Sequence, residues 1–184
     1  VKKALEHTSR LAVTDGLTGV NNARFLHEQL SLEVDLAKRY QTTLTCLLLD
    51  IDDFKQVNDV HGHPFGDTVL ISVAKTIERC LRQVDVSGRL GGEEFLVIMR
   101  HTEAQAGYRV AERIRDAVQR FPFSYGNANV RVTVSLGLAS LPLGGTADKL
   151  ALLKAADDAL YRAKRMGKNR TIVHGETVAE ITAQ

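Results

Sequence analysis

Leu44-Thr45-Cys46-Leu47-Leu48-Leu49-Asp50-Ile51-Asp52-Asp53 is an apolar run that ends in acid. Residues 44–50 are β-like and largely apolar, as a strand buried on both faces must be. Such a strand needs cover above and below, and its flanks supply it. A helical pattern spans residues 23–39 on one side. On the other, helical stretches at 54–60 and 66–82 are split by the breaker Gly62-His63-Pro64. Short strands at 86–90 and 94–99 flank Gly91-Gly92 and read as a hairpin. Then come an amphipathic helix over 103–120, a strand over 130–140, a helix over 148–166 stopped by Gly167, and a strand over 171–173. This order predicts an α+β domain with a central antiparallel or mixed sheet packed by helices.

The composition fits one globular domain. Of 184 residues, 44% are apolar and 25% charged, enough for one core. Twenty-two carboxylates nearly balance twenty-four Lys and Arg, for a net charge of +2. A general nucleic-acid binder carries a larger clustered excess, so an anionic ligand is expected to be small and locally held. Cys46 and Cys80 form no CxxC pair and read as buried thiols. No apolar run approaches the ~20 residues of a membrane span, and no signal-peptide pattern opens the chain. Residues 1–13 begin without a cap and read as the end of a signalling or linker helix continuing an upstream one. Residues 176–184 read as a tail or an extra helix.

Four clusters bear chemistry. Asp50 and Asp52 lie two apart, where strand geometry puts both on one side. Carboxylates with a free carbonyl suit a hard cation, although a solvated turn explains them as well. Gly91-Gly92-Glu93-Glu94-Phe95 lets a ligand approach the backbone, with acids on a strand that can lie beside residues 44–50. A carboxylate from each strand would then share one cation; a plain hairpin with surface acids is the alternative. In the segment from Phe54 to Asp67, Asn58 and Asp67 carry the donors and acceptors to read a guanine edge, or else cap helices. Arg162-Ala163-Lys164-Arg165-Met166-Gly167-Lys168-Asn169-Arg170 suits phosphate, or a solvated helix end.

Taken together the motifs are recognisable. Asp15-Gly16-Leu17-Thr18-Gly19, Asp50-Ile51-Asp52-Asp53-Phe54-Lys55-Gln56-Val57-Asn58-Asp59, Gly62-His63-Pro64-Phe65-Gly66-Asp67, Gly91-Gly92-Glu93-Glu94-Phe95, Val134-Ser135-Leu136-Gly137 and the segment from Ala156 to Arg170 resemble, in order and spacing, the GGDEF family of diguanylate cyclases. The resemblance covers roughly residues 11–173, with the cyclase domain expected over 14–175. It implies a palm-like nucleotidyl-cyclase fold with a mainly antiparallel sheet of five to six strands.

The resemblance also implies roles. Asp50, Glu93 and the carbonyl of Ile51 would hold Mg²⁺ or Mn²⁺. Asn58 and Asp67 would read guanine, with His63 nearby. Lys55 would stabilise charge on the reacting phosphate. Lys164, Lys168 and the backbone amides near Asp53 and Phe54 would hold the terminal phosphates. Glu94 would act as general base or second metal ligand. The implied reaction joins two GTP into cyclic di-GMP, one GTP per subunit of a homodimer. The need for GTP implies a cytoplasmic setting, either as a cytoplasmic protein or as the cytoplasmic part of a membrane-anchored one, and an upstream sensory domain is expected.

Three features depart from the common pattern. Glu93 stands where Asp is frequent, and keeps the carboxylate. Lys168 stands where Arg is frequent and lacks the bidentate fork. Val20-Asn21-Asn22-Ala23-Arg24 replaces a common Leu-x-Asn-Arg-Arg run. Arg82-Gln83-Val84-Asp85, five residues before Gly91, resembles the family's RxxD product-inhibition site, with Arg113 as a partner. A silent domain that binds GTP or cyclic di-GMP is the alternative; the intact acids Asp50, Glu93 and Glu94 weigh against it.

Overall fold

The computed structural model describes residues 13–126, 128–142 and 148–176. The expected N-terminal helix and C-terminal tail fall outside these, apart from Val13 and Glu176. β1 (Leu44–Ile51) is buried along its whole length, as its composition requires. It pairs antiparallel with β3 (Glu94–Arg100) on one side and β6 (Val134–Leu141) on the other. β2 (Val86–Gly91) extends the sheet beyond β3, and β7 (Thr171–Val173) pairs parallel with β6. The order is β2-β3-β1-β6-β7, a five-stranded, mainly antiparallel sheet.

Alternation along these strands feeds two cores. Leu47, Leu49 and Ile51 of β1 face α2 (Phe54–His61), α3 (His63–Arg79) and α4 (Ala104–Arg120) through Val57, Phe65, Val73 and Ile114. Leu44, Cys46 and Leu48 face α1 (Ala23–Tyr40) and α5 (Lys149–Arg165) through Leu26, Leu30, Leu152 and Ala156. Burial pushes the Cys46 thiol up to about 12, so it is an inert core group. Gly137 of β6 is what lets α5 come close. A Cβ there would lie 2.2 Å from the Ala156 carbonyl oxygen.

Three boundaries differ from the sequence reading. α3 begins at His63, not 66, because Pro64 falls at the helix start, where its missing N–H is no loss. It ends at Arg79 rather than 82. The strand expected over 130–140 is split: β6 begins only at Val134, while Val130 ends β5 (Ala128–Val130), which forms a separate hairpin with β4 (Phe123–Tyr125).

Candidate active site

The β1–β3 register places the acids. Asp50 is the Cα partner of Glu94, and the Ile51 amide donates to the Glu93 carbonyl at 3.4 Å. The acids of two motifs, Asp50 and Glu93 lying 43 residues apart in sequence, therefore meet at one sheet end. Gly91 and Gly92 make the turn at φ 154° and 52°, and the register shifts between Arg89 and Gly91. The hairpin is thus bulged rather than plain.

Arg89 fastens its tip. Its Nε and Nη2 donate to the Gly92 carbonyl at 2.8 and 2.6 Å, and its Nη1 reaches Asp15 at 3.3 Å. Burial alone would raise the Asp15 carboxyl, but hydrogen bonds from Thr18 and the Arg89 charge hold it below its ordinary value. The turn carrying Asp15 is pressed on β2: the Arg89 amide donates to the Asn21 carbonyl at 2.9 Å. Sequence reasoning found this turn but not its partner.

Asp50 is nearly buried and holds Lys164 of α5 at 2.7 Å. Burial raises its carboxyl above the ordinary value, Lys164 opposes the rise, and the charges of Glu93 and Glu94 add to it. Lys168 holds Asp53 at 2.6 Å, and that hydrogen bond raises its ammonium above the ordinary value. Both lysines of the basic cluster thus reach the acidic end of β1.

Asp52 behaves otherwise than its spacing suggests. β1 ends at Ile51, so the strand alternation does not extend to Asp52. Its carboxylate accepts from Thr133 Oγ1 (2.8 Å), Ser135 Oγ (2.6 Å) and the Asn169 amide (3.0 Å). Asp50 and Asp52 therefore do not form one open pair.

Asn58 lies over α3. A Cβ on Gly66 would fall 1.9 Å from Asn58 Oδ1, so only glycine admits the carboxamide there, beside exposed Asp67. His63 is exposed at the start of α3, one turn from Asp67, and Lys55 is exposed on the first turn of α2. Phe54 is buried and opens α2, while Asp53 before it takes φ 55°.

Farther along the sheet, the Asp85 amide and the Arg82 carbonyl close a turn, and Asp85 Oδ2 accepts from the Arg82 amide at 3.0 Å. Asp85 Oδ1 is hidden from solvent and has no hydrogen-bond partner. Arg113 of α4 reaches the Cys80 carbonyl at 2.5 Å, which brings it beside this turn.

The donor set at the Asp50 end fits a divalent cation. Carboxylate and carbonyl oxygens suit Mg²⁺, which takes one or two carboxylates together with water and phosphate oxygens. Among the described residues no group of three or more His, Cys, Asp and Glu could hold a metal unaided. A raised Asp50 beside two further acids is a place where added positive charge is favoured. No described helix is long and apolar enough to cross a membrane.

Comparison with known proteins identifies the family and the fold. The family described as diguanylate cyclase, GGDEF domain, matches residues 12–170. The response regulator PleD of Caulobacter vibrioides is 40% identical over 174 residues, 94% of this chain and 38% of that protein. The chain thus spans well under two thirds of that relative. Among solved structures, the coiled coil and GGDEF domain of DgcB from Caulobacter crescentus, in complex with c-di-GMP, superposes with a TM-score of 0.88 at 33% identity, covering 94% of this chain and 91% of that one. The active GGEEF domain of a diguanylate cyclase from Vibrio cholerae gives 0.79 at 33% identity, covering 85% and 98%.

Proposed function

Because the chain belongs to the GGDEF family of diguanylate cyclase domains, we propose that it condenses two GTP into cyclic di-GMP and two pyrophosphates, as a homodimer holding one GTP per subunit. The observation that carries this reading is the meeting of Asp50, Glu93 and Glu94 at one sheet end with Lys164 on Asp50.

Asn58 and Asp67 read the guanine edge, the carboxamide held in place by the absence of a side chain on Gly66. Lys164 and Lys168 exchange their carboxylate partners for the terminal phosphates, with the amides near Asp53 and Phe54. Lys55 stabilises charge on the reacting phosphate. Asp50, Glu93 and the Ile51 carbonyl would hold Mg²⁺ or Mn²⁺, which supplies Lewis-acid polarisation of phosphate oxygens. Glu94 takes the proton of the attacking 3′-hydroxyl. That oxygen bonds to the α-phosphorus of the facing GTP as the bond to pyrophosphate breaks. A second transfer in the opposite sense closes the ring. Two subunits must face each other to align both transfers, so dimerisation is part of catalysis.

The buried, unpartnered oxygen of Asp85, with exposed Arg82 and with Arg113 alongside, supports cyclic di-GMP as a product inhibitor at the RxxD turn. GTP supply places the reaction in the cytoplasm.

Purified protein incubated with GTP and Mg²⁺, with products resolved by chromatography, tests the reading. Cyclic di-GMP and pyrophosphate are expected, and both should vanish in Glu93→Ala. No product at any protein concentration, even with a dimerising helix fused upstream, would leave a nucleotide-binding receptor instead.

A further inference from the structure

The loop from Met166 to Arg170 carries Lys168, and its backbone is unusual. Gly167, Lys168 and Asn169 all have positive φ, at 112°, 61° and 46°. Asp53, across from it, takes 55°. Non-glycine residues in the left-handed region persist only where their surroundings hold them there.

The holding groups converge on Asp52. Its Oδ1 accepts from the Ser135 hydroxyl at the start of β6. Its Oδ2 accepts from Thr133 just before β6, and from the Asn169 amide in the loop. The Asp52 amide donates to the Thr133 carbonyl at 2.9 Å. One buried carboxylate thus ties the end of β1, the start of β6 and the loop together. From the other side, α4 secures the same loop: Arg115 donates to Asn169 Oδ1 at 3.0 Å, and Asn169 Nδ2 to Gln119 at 3.1 Å.

We propose that Asp52 is a positioning residue that sets the geometry of the phosphate-facing loop through the Asn169 amide, rather than a metal ligand. The proposal rests on the reading that Lys164 and Lys168 hold the terminal phosphates. Its oxygens are already engaged by three donors, two of them the hydroxyls of Thr133 and Ser135. What it contributes to nucleotide binding is the place of Lys168, whose neighbour Asn169 it grips.

Asparagine and alanine at this position separate the roles. In Asp52→Asn, the carbonyl can occupy the Oδ2 position and accept from Thr133 and Asn169, while the amide donates to the rotatable Ser135 hydroxyl. Asp52→Ala leaves all three donors without an acceptor. The experiment measures amide hydrogen exchange at Asn169, and binding and turnover of GTP with Mn²⁺, in both variants of the full chain. Asp52→Asn should keep the Asn169 amide protected and bind a non-hydrolysable GTP analogue within about threefold of the parent. Asp52→Ala should lose the protection and raise KM roughly tenfold, with kcat within about threefold.

Equal damage from both variants would overturn the proposal, since the charge itself would then be needed. So would an Asp52→Ala protein with unchanged affinity and a protected Asn169. If Asp52→Ala does not fold, Asn169→Val serves instead: a β-branched residue cannot hold φ 46°, and the same rise in KM is expected. Wild-type affinity in that variant would equally contradict the proposal. A parent that binds no guanine nucleotide would refute the functional reading, while exchange at Asn169 would still test the anchor.

Discussion

β1 has an ion pair at each end, and they match in form. At the Leu44 end, Arg100 holds Glu33 at 2.6 Å, with side-chain exposures of 33% and 8%. At the Asp50 end, Lys164 holds Asp50 at 2.7 Å, with exposures of 37% and 8%. The company differs. Glu33 receives a further hydrogen bond from Gln29 at 2.8 Å, so its charge is met by donors. Asp50 is crowded by Glu93 and Glu94, which add to the rise that burial imposes on it. One end is a structural contact in which the carboxylate is fully met, while Arg100 Nε stays buried without a partner. The other sets three carboxylates, Asp50, Glu93 and Glu94, against Lys164, a crowding that costs folding stability and favours cations. The difference comes from the hairpin: its turn carries Glu93 and the start of β3 carries Glu94 to one end, while β3 ends in Arg100 at the other.

The largest effects should separate the ends outright. Asp50→Asn should fold and lose turnover by about 100-fold or more, because the groups that organise the reacting phosphates are gone. Glu33→Ala should do the reverse, removing the acceptor of charge-assisted hydrogen bonds at a cost of about 2 kcal/mol in denaturant unfolding, with turnover per folded molecule unchanged. If Glu33→Ala abolished catalysis at full stability, the division would fail.

Two glycines sharpen the contrast at the next level. Gly137→Ala drives a Cβ into the backbone of α5, and an unfolding loss of about 3 kcal/mol is expected. Gly66→Ala meets the Asn58 side chain, which can rotate away. Guanine nucleotide affinity should fall about tenfold, near 1.4 kcal/mol, with little change in melting temperature. Titration calorimetry and thermal melts distinguish the two. Smaller still, Arg82→Ala should relieve inhibition by added cyclic di-GMP without changing the initial rate. An unaltered inhibition curve would remove the RxxD turn from the account.

The smallest effect is a pH dependence. A raised Asp50 means that the folded protein holds a proton there more tightly than the unfolded chain does. Stability from this group is full below its ordinary value of 3.8, and is lost as pH rises through the raised folded value. Asp50→Asn removes that loss. Its melting temperature should exceed the parent's at neutral pH, and the gap should close as pH falls below 3.8. A less stable Asp50→Asn at neutral pH would mean that Lys164 fully compensates the charge.

Much of this was legible in the sequence. The run at residues 44–50, the hairpin acids and the helix beyond the Gly62-His63-Pro64 breaker pointed to the sheet and its acidic end, because strand burial and glycine turns are local signals. Motif order supplied the family. What stayed hidden depended on long-range partners. Arg89 and Asp15 lie 74 residues apart, and Asp52 and Asn169 lie 117 apart. Asp52 was misplaced because alternation was carried one residue past the end of β1. The β4–β5 hairpin was missed because strands of three residues carry almost no periodicity, although Gly126 marks the turn.

The central claim is that the acidic end of β1 is a reactive site completed by a facing subunit. The most direct test is the rate of cyclic di-GMP formation per subunit across a wide range of protein concentration, with Asp50→Asn alongside. The account predicts a specific rate that climbs with concentration until dimers saturate, and an Asp50→Asn rate about 100-fold or more below it at every concentration. A specific rate that is flat down to dilute protein, or an Asp50→Asn rate close to the parent's, would contradict it.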